Sequence, residues 1–354
     1  MKVFVAHTEF QVKDRKVLFI LTRPFFNEKN WVNDATLKTS WGLNPDQFQL
    51  VSTIENATIV LIPFAINFYY KEKKEFHLEA LHKQCLKHNK KAYGYIVGDL
   101  GIAFPEFATI TYLRPSGFKS QLSTQNKGFY IPLTDQLPLL FHQEHCKPSP
   151  KKEVPIVGFC GHARLHFSKL LFETTRFMLC NLWRFYKKPN RNDWEPLFPS
   201  GFHRAKLLQL IDQSSNTLQT NFIYRSQYRA GVQTKEQETQ STLEYFQNIL
   251  ESDYILCVRG AGNFSVRLYE TLMMGKIPIF VNTDCMLPFE STINWKKHVV
   301  WIEWNERKTI AERVTAFHAS ITAEDFVQLQ INNRKLWKET LSIASIIKRL
   351  ADDF

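Results

Sequence analysis

The fold of this chain is decided by residues 254–289, YILCVRGAGNFSVRLYETLMMGKIPIFVNTDCMLPF. The stretch opens with an apolar strand at 254–258 and continues to a second apolar strand at 277–281. A loop with Gly260 and Gly262 and a short helix lie between the strands. Glycine permits backbone angles that other residues resist, so the amides of this loop can face an anion. The order of strand, anion-binding turn and helix predicts an α/β domain.

Charged and polar residues of this stretch lie where a sheet of that class binds its ligand. Arg259 follows the first strand and supplies a fixed cation at its carboxyl end. Ser265 is a favourable N-cap for the helix, and Gly275 can end that helix in the αL conformation. Arg267 and Glu270 are three residues apart and therefore share one helix face. The pattern predicts a phosphate-binding site beside a charged helix face.

Each of these residues also has a purely structural interpretation. Arg259 can cap a carbonyl or pair with Asp253, and Asn263 can stabilise the turn instead of contacting a ligand. Arg267 can pair with Glu270 across one helical turn, although such a surface pair contributes only about 0.2–0.5 kcal/mol. A cation between a strand end and a Gly-x-Gly loop favours the phosphate-binding interpretation.

A family resemblance is carried by the same residues. The run RG-x-GN-x-S-x-RLYE, followed by G-K-IP and LPF, resembles the donor-binding signature of the exostosin-like glycosyltransferases, which are inverting enzymes of family 47. Weaker similarities lie at 55–64, 98–101, 114–120 and 156–164. The resemblance implies the α/β GT-B fold, in which two Rossmann-like domains face a central cleft and the C-terminal helix crosses back to the first domain.

The resemblance also implies a donor site. It places Glu270 on the ribose hydroxyls of a nucleotide sugar, and Arg267 and Ser265 beside the phosphates. The loop at 158–164, GFCGHAR, follows another apolar strand, so its amides can face the same cleft and its arginine can reach the diphosphate. The predicted donor-binding residues are Arg259, Gly260, Gly262, Asn263, Ser265, Arg267, Glu270, Gly161, Arg164 and Arg225. A glycine turn with a surface arginine is the structural alternative at 158–164, and His162 is a weaker candidate.

Inverting transfer needs a base that takes the proton of the acceptor hydroxyl. Asp99 is the first candidate, because GDLG follows a predicted strand and matches a D-x-G element of the family's first domain. An aspartate turn or a helix cap explains the same residue structurally. His7 is the second candidate and Asp135 the third. Since no DxD motif flanked by apolar residues occurs, we expect a metal-free site and no cofactor, with a UDP-sugar as donor substrate.

The predicted elements divide the chain into three parts. Residues 1–150 form an acceptor-side domain, 151–325 form the nucleotide-sugar domain, and 326–354 form the C-terminal helix. Residues 146–153, CKPSPKKE, have no apolar pattern and predict an interdomain linker. Residues 190–203 predict a proline-rich insertion. Strands are predicted at 17–21, 57–63, 92–97, 110–113, 154–160, 220–224 and 299–303, and helices at 76–89, 168–183, 239–251 and 323–350.

Composition places further bounds on the protein. With 44% hydrophobic residues, 354 residues favour two cores, and six cysteines without CxxC spacing favour reduced thiols. The absence of a basic leader and of an 18-residue apolar run predicts a soluble, cytoplasmic protein. The net charge of +11 predicts contact with anionic partners, such as the inner membrane leaflet. No known nucleic-acid-binding pattern occurs, which disfavours nucleic acid as that partner.

These observations predict an inverting, metal-independent hexosyl- or pentosyltransferase. It would move a sugar from a UDP-sugar to a growing surface polysaccharide or a lipid-linked glycan. Two alternatives from other classes remain open. A non-catalytic nucleotide- or glycan-binding module would keep the donor loop without transferring sugar, and a nucleic-acid-binding protein would show steep salt dependence and no preference for UDP.

Overall fold

A computed structural model describes most of the chain and divides it into two compact units. The described residues are 1–6, 21–22, 49–130, 133–163, 167–187, 196–225 and 234–350. Unit 1 comprises 1–134, 285–293 and 339–354, and unit 2 comprises 135–284 and 294–338. Within the described ranges, no helix is both long and apolar enough to cross a membrane.

Unit 1 is built on a six-stranded parallel sheet. Its strands are β1 (Lys2–Val5), β2 (Gln49–Leu50), β3 (Ile59–Ala65), β4 (Ala92–Tyr95), β5 (Ile110–Arg114) and β6 (Asn126–Gly128), in the order β2-β1-β3-β4-β5-β6. Strand β3 is buried at every position, as its continuous apolar sequence predicts for a strand covered on both faces. The strand predicted at 17–21 lies outside the described residues except for Leu21.

Two helices of unit 1 follow β3. Helix α1 (Ile66–Lys71) continues directly from the strand, and α2 (Phe76–Lys87) buries Leu78, Leu81 and Cys85. These three positions have the spacing of one helix face, so the side chains reach the core together. The helix predicted at 76–89 is therefore confirmed, with its end two residues earlier.

Unit 2 contains a five-stranded parallel sheet. Its strands are β7 (Ile156–Gly161), β8 (Gln219–Tyr224), β9 (Tyr254–Cys257), β10 (Ile277–Asn282) and β11 (Val300–Glu303), in the order β11-β10-β9-β7-β8. Its helices are α3 (Gln136–Phe141), α4 (Phe167–Lys187), α5 (Ser200–Asp212), α6 (Lys235–Glu251), α7 (Val266–Met273), α8 (Ile310–Ser320) and α9 (Ala323–Leu336). The predicted α/β class with two parallel sheets is confirmed.

When the strands of each unit are numbered from its own first strand, the sheet order is 2-1-3-4-5-6 in unit 1 and 2-1-3-4-5 in unit 2, so both sheets are doubly wound. In this order the chain moves outward in opposite directions from the first strand, so a crevice forms at the carboxyl ends of the first and third strands. In unit 2 these strands are β7 and β9, which are hydrogen-bonded neighbours. Ligands of doubly wound sheets bind at this switch point.

The stretch that decides the fold adopts the predicted elements. Strand β9 is buried at every position, and α7 ends before Gly275, whose φ of +66° is the αL angle expected of a C-cap glycine. The Gly275 amide donates to the Leu272 carbonyl at 3.0 Å. A Cβ at Gly275 would lie 2.7 Å from the Cys146 sulfur, so close packing also requires glycine here.

Residues 146–153, predicted to be an interdomain linker, lie within unit 2 and are fastened to it by hydrogen bonds. The Ser149 amide donates to Gln330 Oε1 at 2.9 Å, and Gln330 Nε2 donates to the Ser149 carbonyl at 2.8 Å. Buried Lys276 donates from Nζ to Ser149 Oγ at 2.5 Å. The linker prediction was wrong because the buried side-chain amide of Gln330 hydrogen-bonds both polar backbone atoms of Ser149. These bonds hold the segment on unit 2 although its sequence has no apolar pattern.

Two further boundaries differ from the sequence prediction. The units divide at 134/135 instead of at 150/151, and the last predicted helix divides between the units at 338/339. Helix α9 is followed by a wide helical turn at Trp337–Leu341 and by α10 (Ile343–Arg349). The predicted proline-rich insertion also ends early, because α5 begins at Ser200 and buries an apolar face of its own.

Candidate functional site

Arg267 lies at the switch point of the unit 2 sheet. Its Nη2 donates to the Cys160 carbonyl of β7 at 2.8 Å, and Nη1 donates to the Leu256 carbonyl of β9 at 3.3 Å. Its Nε donates to the Tyr245 hydroxyl at 3.2 Å, and its guanidinium carbon lies 4.3 Å from the centroid of the Phe159 ring. One side chain of α7 thus links the carboxyl ends of the two strands that flank the crevice.

Tyr245 of α6 connects Arg267 to Glu270. Its hydroxyl accepts from Arg267 and donates to Glu270 Oε2 at 2.5 Å. The direct pairing of Arg267 with Glu270, which the sequence left open as a structural alternative, is replaced by a hydrogen-bonded chain through the Tyr245 phenol. Sequence analysis missed Tyr245, although a phenolic tip within an apolar helix stripe signals a buried hydrogen bond.

Burial determines the protonation of this chain. It raises the pKa of Glu270 above its usual value, an effect that the Tyr245 hydrogen bond and the Arg267 charge partly offset. Burial, followed by the negative charge of Glu270, raises the pKa of Tyr245 well above its usual value. Tyr245 therefore remains protonated and donates to the carboxylate, so the cation and the acid keep fixed positions on one side of α7.

Arg259 follows β9 and is almost completely buried. Its guanidinium carbon lies 4.6 Å from the centroid of the Phe198 ring, and Nη2 donates to the Ala261 carbonyl at 3.2 Å. The carbonyl-capping interpretation is thus observed. Asp253, the alternative partner, instead accepts from the Ile156 amide at 2.9 Å. Arg259 therefore places a cation beside an aromatic ring at the carboxyl end of the sheet.

Aromatic rings surround the Arg259 side of the site. The Phe198 ring centroid lies 4.6 Å from that of His203 and 5.0 Å from that of Trp304. The guanidinium carbon of Arg307 lies 4.3 Å from the Trp304 centroid. Burial lowers the pKa of His203, and neighbouring cations, including Arg307 and Arg259, lower it further. His203 is therefore neutral at neutral pH and adds a polar, uncharged ring to the cluster.

Arg204 of α5 is a site residue that sequence analysis missed. Its Nη1 donates to the His162 carbonyl at 2.6 Å, and its guanidinium carbon lies 6.0 Å from the Phe159 centroid. Burial, followed by the charge of Arg267, lowers its pKa to about 10. Two guanidinium groups thus contact one ring and repel each other, which favours an anion between or beside them. Apolar Leu207, Leu208 and Ile211 were the signal that its segment is helical.

The glycine loop has a different geometry from the expected one. The Gly260 amide donates to the Phe264 carbonyl at 3.2 Å, so it does not face outward, and neither Gly260 nor Gly262 is among the described glycines with positive φ. A Cβ at Gly260 would meet no atom within 4 Å. Asn263 Nδ2 donates to the carbonyls of 283–284 at 3.0 Å, which is the turn-stabilising role left open by the sequence.

Ser265 occupies the predicted N-cap position of α7. Its φ of −128° and ψ of 111° are extended, as expected for a residue that precedes a helix, but its hydroxyl makes no capping hydrogen bond to the helix. Ser265 is therefore the residue at the predicted N-cap position, but its side chain does not cap the helix. The buried hydroxyl lies at the amino end of the helix that carries Arg267 and Glu270.

The second predicted loop contributes mainly support. Gly161 ends β7, and a Cβ there would lie 3.0 Å from Arg267 Nη2, so glycine allows the arginine to approach. The Gly161 carbonyl accepts from the Arg225 amide at 3.0 Å. The Arg225 guanidinium donates to Glu244 Oε2 at 2.8 Å and is therefore paired with α6. Arg164 lies outside the described residues.

The candidate bases have unequal surroundings. Asp99 is exposed, and its backbone carbonyl accepts from Ser116 Oγ at 2.8 Å. Asp135 caps α3 and pairs with both terminal nitrogens of Arg334, at 3.0 and 2.6 Å. Its carboxylate thus has structural partners in unit 2, whereas the Asp99 carboxylate is exposed. His7 lies outside the described residues.

Comparison with known proteins identifies one part of the chain. The sequence model of the Exostosin GT47 domain matches residues 198–317. This part of the chain is similar to the exostosin GT47 domain. The exostosin-like segment includes Arg204, Tyr245, Arg259, Arg267 and Glu270, so the cluster at the switch point lies within it. The resemblance predicted from 254–289 is confirmed, and each unit supplies the parallel α/β sheet that the GT-B fold requires.

Two relatives align with shorter stretches. Exostosin-1 of Drosophila melanogaster is 33% identical over 95 residues, which cover 27% of this chain and 12% of that protein. A probable glucuronosyltransferase of Oryza sativa subsp. japonica is 27% identical over 92 residues, which cover 26% and 20%. The chain thus spans a fifth or less of the length of either relative. A glycosyltransferase structure from Rickettsia africae aligns with 98% of this chain and 96% of that one, at a TM-score of 0.38 and 11% identity, and that likeness is too low to support an argument.

Proposed function

We propose that this chain is an inverting glycosyltransferase that transfers a hexosyl or pentosyl group from a UDP-sugar. The observation that carries the proposal is the chain Arg267–Tyr245–Glu270 at the switch point of the unit 2 sheet. It fixes a cation and an acid at the position where doubly wound sheets bind nucleotides. The exostosin-like segment supplies all three residues.

Each group has a chemical task in this proposal. Glu270 accepts hydrogen bonds from the ribose hydroxyls, while Arg259 and Arg267 hold the diphosphate together with Arg204. Negative charge grows on the diphosphate as the bond to the sugar breaks, so fixed guanidinium groups stabilise the transition state more than the bound donor. The aromatic cluster of Phe198, His203 and Trp304 offers flat rings beside these cations.

The acceptor hydroxyl loses a proton as it attacks the anomeric carbon from the face opposite the diphosphate. In this proposal Asp99 is the base that accepts this proton, and His7 is the alternative base. Arginines take the place of a divalent ion at the phosphates, so the reaction requires no metal and no cofactor. Activity that is lost in EDTA and restored by manganese would contradict this assignment.

The acceptor in this proposal is a growing surface polysaccharide or a lipid-linked glycan, and the reaction takes place in the cytoplasm. The net charge of +11 supports an acidic or membrane-bound acceptor, since it draws the protein to anionic surfaces. The name of the rice relative, a probable glucuronosyltransferase, supports the transfer of a sugar.

Calorimetry with UDP and with uridine tests the donor site. Glu270→Ala should weaken both ligands by about 1.5–3 kcal/mol, the contribution of a hydrogen bond to a charged group. Arg259→Ala should weaken UDP far more than uridine, because uridine has no phosphate. Matched controls are Glu251→Ala and Arg313→Ala, which remove exposed charges on α6 and α8.

Unchanged UDP affinity in both site variants would refute the donor site and most of the case for sugar transfer. UDP binding without donor hydrolysis or transfer would instead indicate a non-catalytic nucleotide-binding module. Binding to nucleic acid with a steep salt dependence and no response to UDP would indicate the third function class.

A further inference from the structure

Helix α4 (Phe167–Lys187) presents a broad apolar face at the surface of unit 2. Its exposed fractions range from 50% to 86% for seven large side chains, Leu171, Phe172, Met178, Leu179, Leu182, Trp183 and Tyr186. Each of them lies three, four or seven residues from at least one other, which places all of them on one side of the helix as an exposed stripe. Contiguous exposed apolar surface of this kind is rare on soluble proteins and marks a contact site.

The opposite side of α4 is covered by the rest of the chain. Leu170, Phe177 and Phe185 are partly covered and Asn181 is buried, and these positions again share one helix face. The helix is therefore apolar on two sides, and one of them is covered. The exposed stripe needs a separate explanation.

The charges of α4 indicate what the stripe contacts. Its sequence contains four basic residues, Lys169, Arg176, Arg184 and Lys187, and one acidic residue, Glu173. The helix thus carries a net positive charge within a chain of net charge +11. Two copies of such a helix would repel each other at the contact, whereas an anionic surface attracts it. Charge complementarity therefore favours an acidic surface over a second copy of the chain.

The form of the stripe indicates a lipid surface. Trp183 and Tyr186 lie near one end, and their rings combine an apolar body with a polar tip, as residues at membrane interfaces do. The stripe from 171 to 186 is about 22 Å long at the helical rise of about 1.5 Å per residue. We propose that the exposed face of α4 lies in the interface of a bilayer that contains anionic lipid, with the helix parallel to the membrane. Lipid docking by α4 is independent of the sugar-transfer reaction.

Vesicle co-sedimentation of the full chain tests this docking surface. The stripe variant is Leu171→Gln/Leu179→Gln/Trp183→Gln. The matched control, Phe76→Gln/Leu86→Gln/Leu139→Gln, removes three equally exposed apolar side chains from α2 and α3. On vesicles of phosphatidylcholine with phosphatidylglycerol, the stripe variant should lose about 100-fold in partitioning while the control stays near wild type. Wild-type partitioning should also fall in high salt and on phosphatidylcholine alone.

Other outcomes would overturn the proposal. These are equal losses in the two triple variants, or a wild-type chain that does not bind anionic vesicles. A wild-type dimer that the stripe substitutions convert to a monomer, without vesicle binding, would assign the face to a second copy. If the stripe variant fails to fold, Trp183→Phe provides the second measurement. Brominated lipid should quench wild-type tryptophan fluorescence and quench the variant less, and equal quenching would contradict lipid docking by α4.

Discussion

Two arginine networks, one in each unit, have the same plan and different surroundings. The Arg114 network begins at the carboxyl end of β5, where Arg114 Nη1 donates to Asn126 Oδ1 at 3.1 Å. Asn126 Nδ2 then donates to Glu106 Oε1 at 2.5 Å. The Arg267 network, Arg267–Tyr245–Glu270, likewise connects a cation to a carboxylate through one polar side chain.

The remaining bonds of Arg114 hold loops together. Its Nε donates to the Ser116 carbonyl at 2.6 Å and its Nη2 to the Ile102 carbonyl at 2.9 Å. The Ser116 hydroxyl donates to the Asp99 carbonyl at 2.8 Å. A fully buried guanidinium thus fastens the loops that follow β4 and β5, and it fixes the backbone of the candidate base.

Position and exposure separate the two networks. Glu106 is exposed, and β5 is not a strand of the switch point of its sheet. Glu270 is partly covered, its pKa is raised by burial, and its network joins the two strands of the unit 2 switch point. The same link between a cation and an acid lies away from the switch point in unit 1 and at the switch point in unit 2, so we expect only the Arg267 network to serve ligand binding.

The largest expected effect comes from Asp99, the proposed base, which lies on the loop that Arg114 fastens. Asp99→Asn should lower turnover by roughly 10²–10⁴-fold, the usual contribution of a positioned base, with UDP affinity unchanged. Stability should also hold, because the carboxyl is exposed and the carbonyl bonded to Ser116 remains. Assays of turnover with Asp325→Asn as a control measure this. Near-wild-type turnover would transfer the role to His7.

Arg114→Ala should cost about 3–5 kcal/mol of the free energy of unfolding, because it breaks a buried hydrogen-bond network and leaves carbonyls without donors. Chemical denaturation measures the change. Arg313→Ala, which breaks an exposed pair with Glu306, should cost less than about 1 kcal/mol. The folded Arg114 variant should bind UDP as the wild type does. A small loss of stability would mean that the network is not structural.

Tyr245→Phe tests the role of the phenol in the Arg267 network. It removes only the hydroxyl between Arg267 and Glu270, and we expect UDP and uridine to weaken by about 1–2 kcal/mol because the acid loses its fixed position. Calorimetry with Tyr224→Phe, an exposed tyrosine, as the control checks this. Equal affinities in wild type and variant would show that Glu270 does not depend on the phenol.

The smallest expected effect is a pH dependence of uridine affinity that arises from Glu270 and to which Glu106 should not contribute. Burial raises the pKa of Glu270, so its ionised form, which accepts the ribose hydroxyls, is complete above that pKa and is lost as the pH falls through it. Uridine affinity should fall roughly two- to fivefold between about pH 7 and pH 5. The stability of the ligand-free protein should change with pH in the opposite direction. Because folding raises the pKa of Glu270, this residue contributes stability at low pH, and that contribution is lost as the pH rises through the raised pKa.

Glu270→Gln is the control for both trends and should flatten them, whereas Glu106→Gln should leave both unchanged. Calorimetry at a series of pH values follows the first trend, and chemical denaturation follows the second. A uridine affinity of Glu270→Gln that still falls with the wild-type slope would assign the titration to another group.

The sequence predicted the elements that depend on local pattern. The continuous apolar strands, such as β3 and β9, and the αL position of Gly275 follow from residue type and spacing alone. Arg267 and Glu270 were also identified, because a helix face brings residues three apart together. The geometry of each of these positions depends on residues that are close to it in the sequence.

The missed features depend on contacts between distant segments. Tyr245 comes between Arg267 and Glu270 from a different helix, and Arg204 reaches the site from the position that directly follows the predicted proline-rich insertion at 190–203. Gln330 lies 181 residues from Ser149, so no local pattern could reveal that it fastens 146–153. The sequence also located Arg259 correctly between the end of β9 and the glycine loop. It did not reveal that the Phe198 ring contacts this guanidinium.

The fastening of 146–153 determines where the chain can be cut. Trypsin cleaves after lysine unless proline follows, so Lys151 and Lys152 are the candidate sites in this segment, but a protease must draw several residues into an extended strand. The Ser149 backbone is held at both polar atoms by Gln330, which resists that extension. A recombinant fragment of unit 2 must therefore begin upstream of the segment. A fragment starting at residue 151 would leave Gln330 and the buried amine of Lys276 without Ser149.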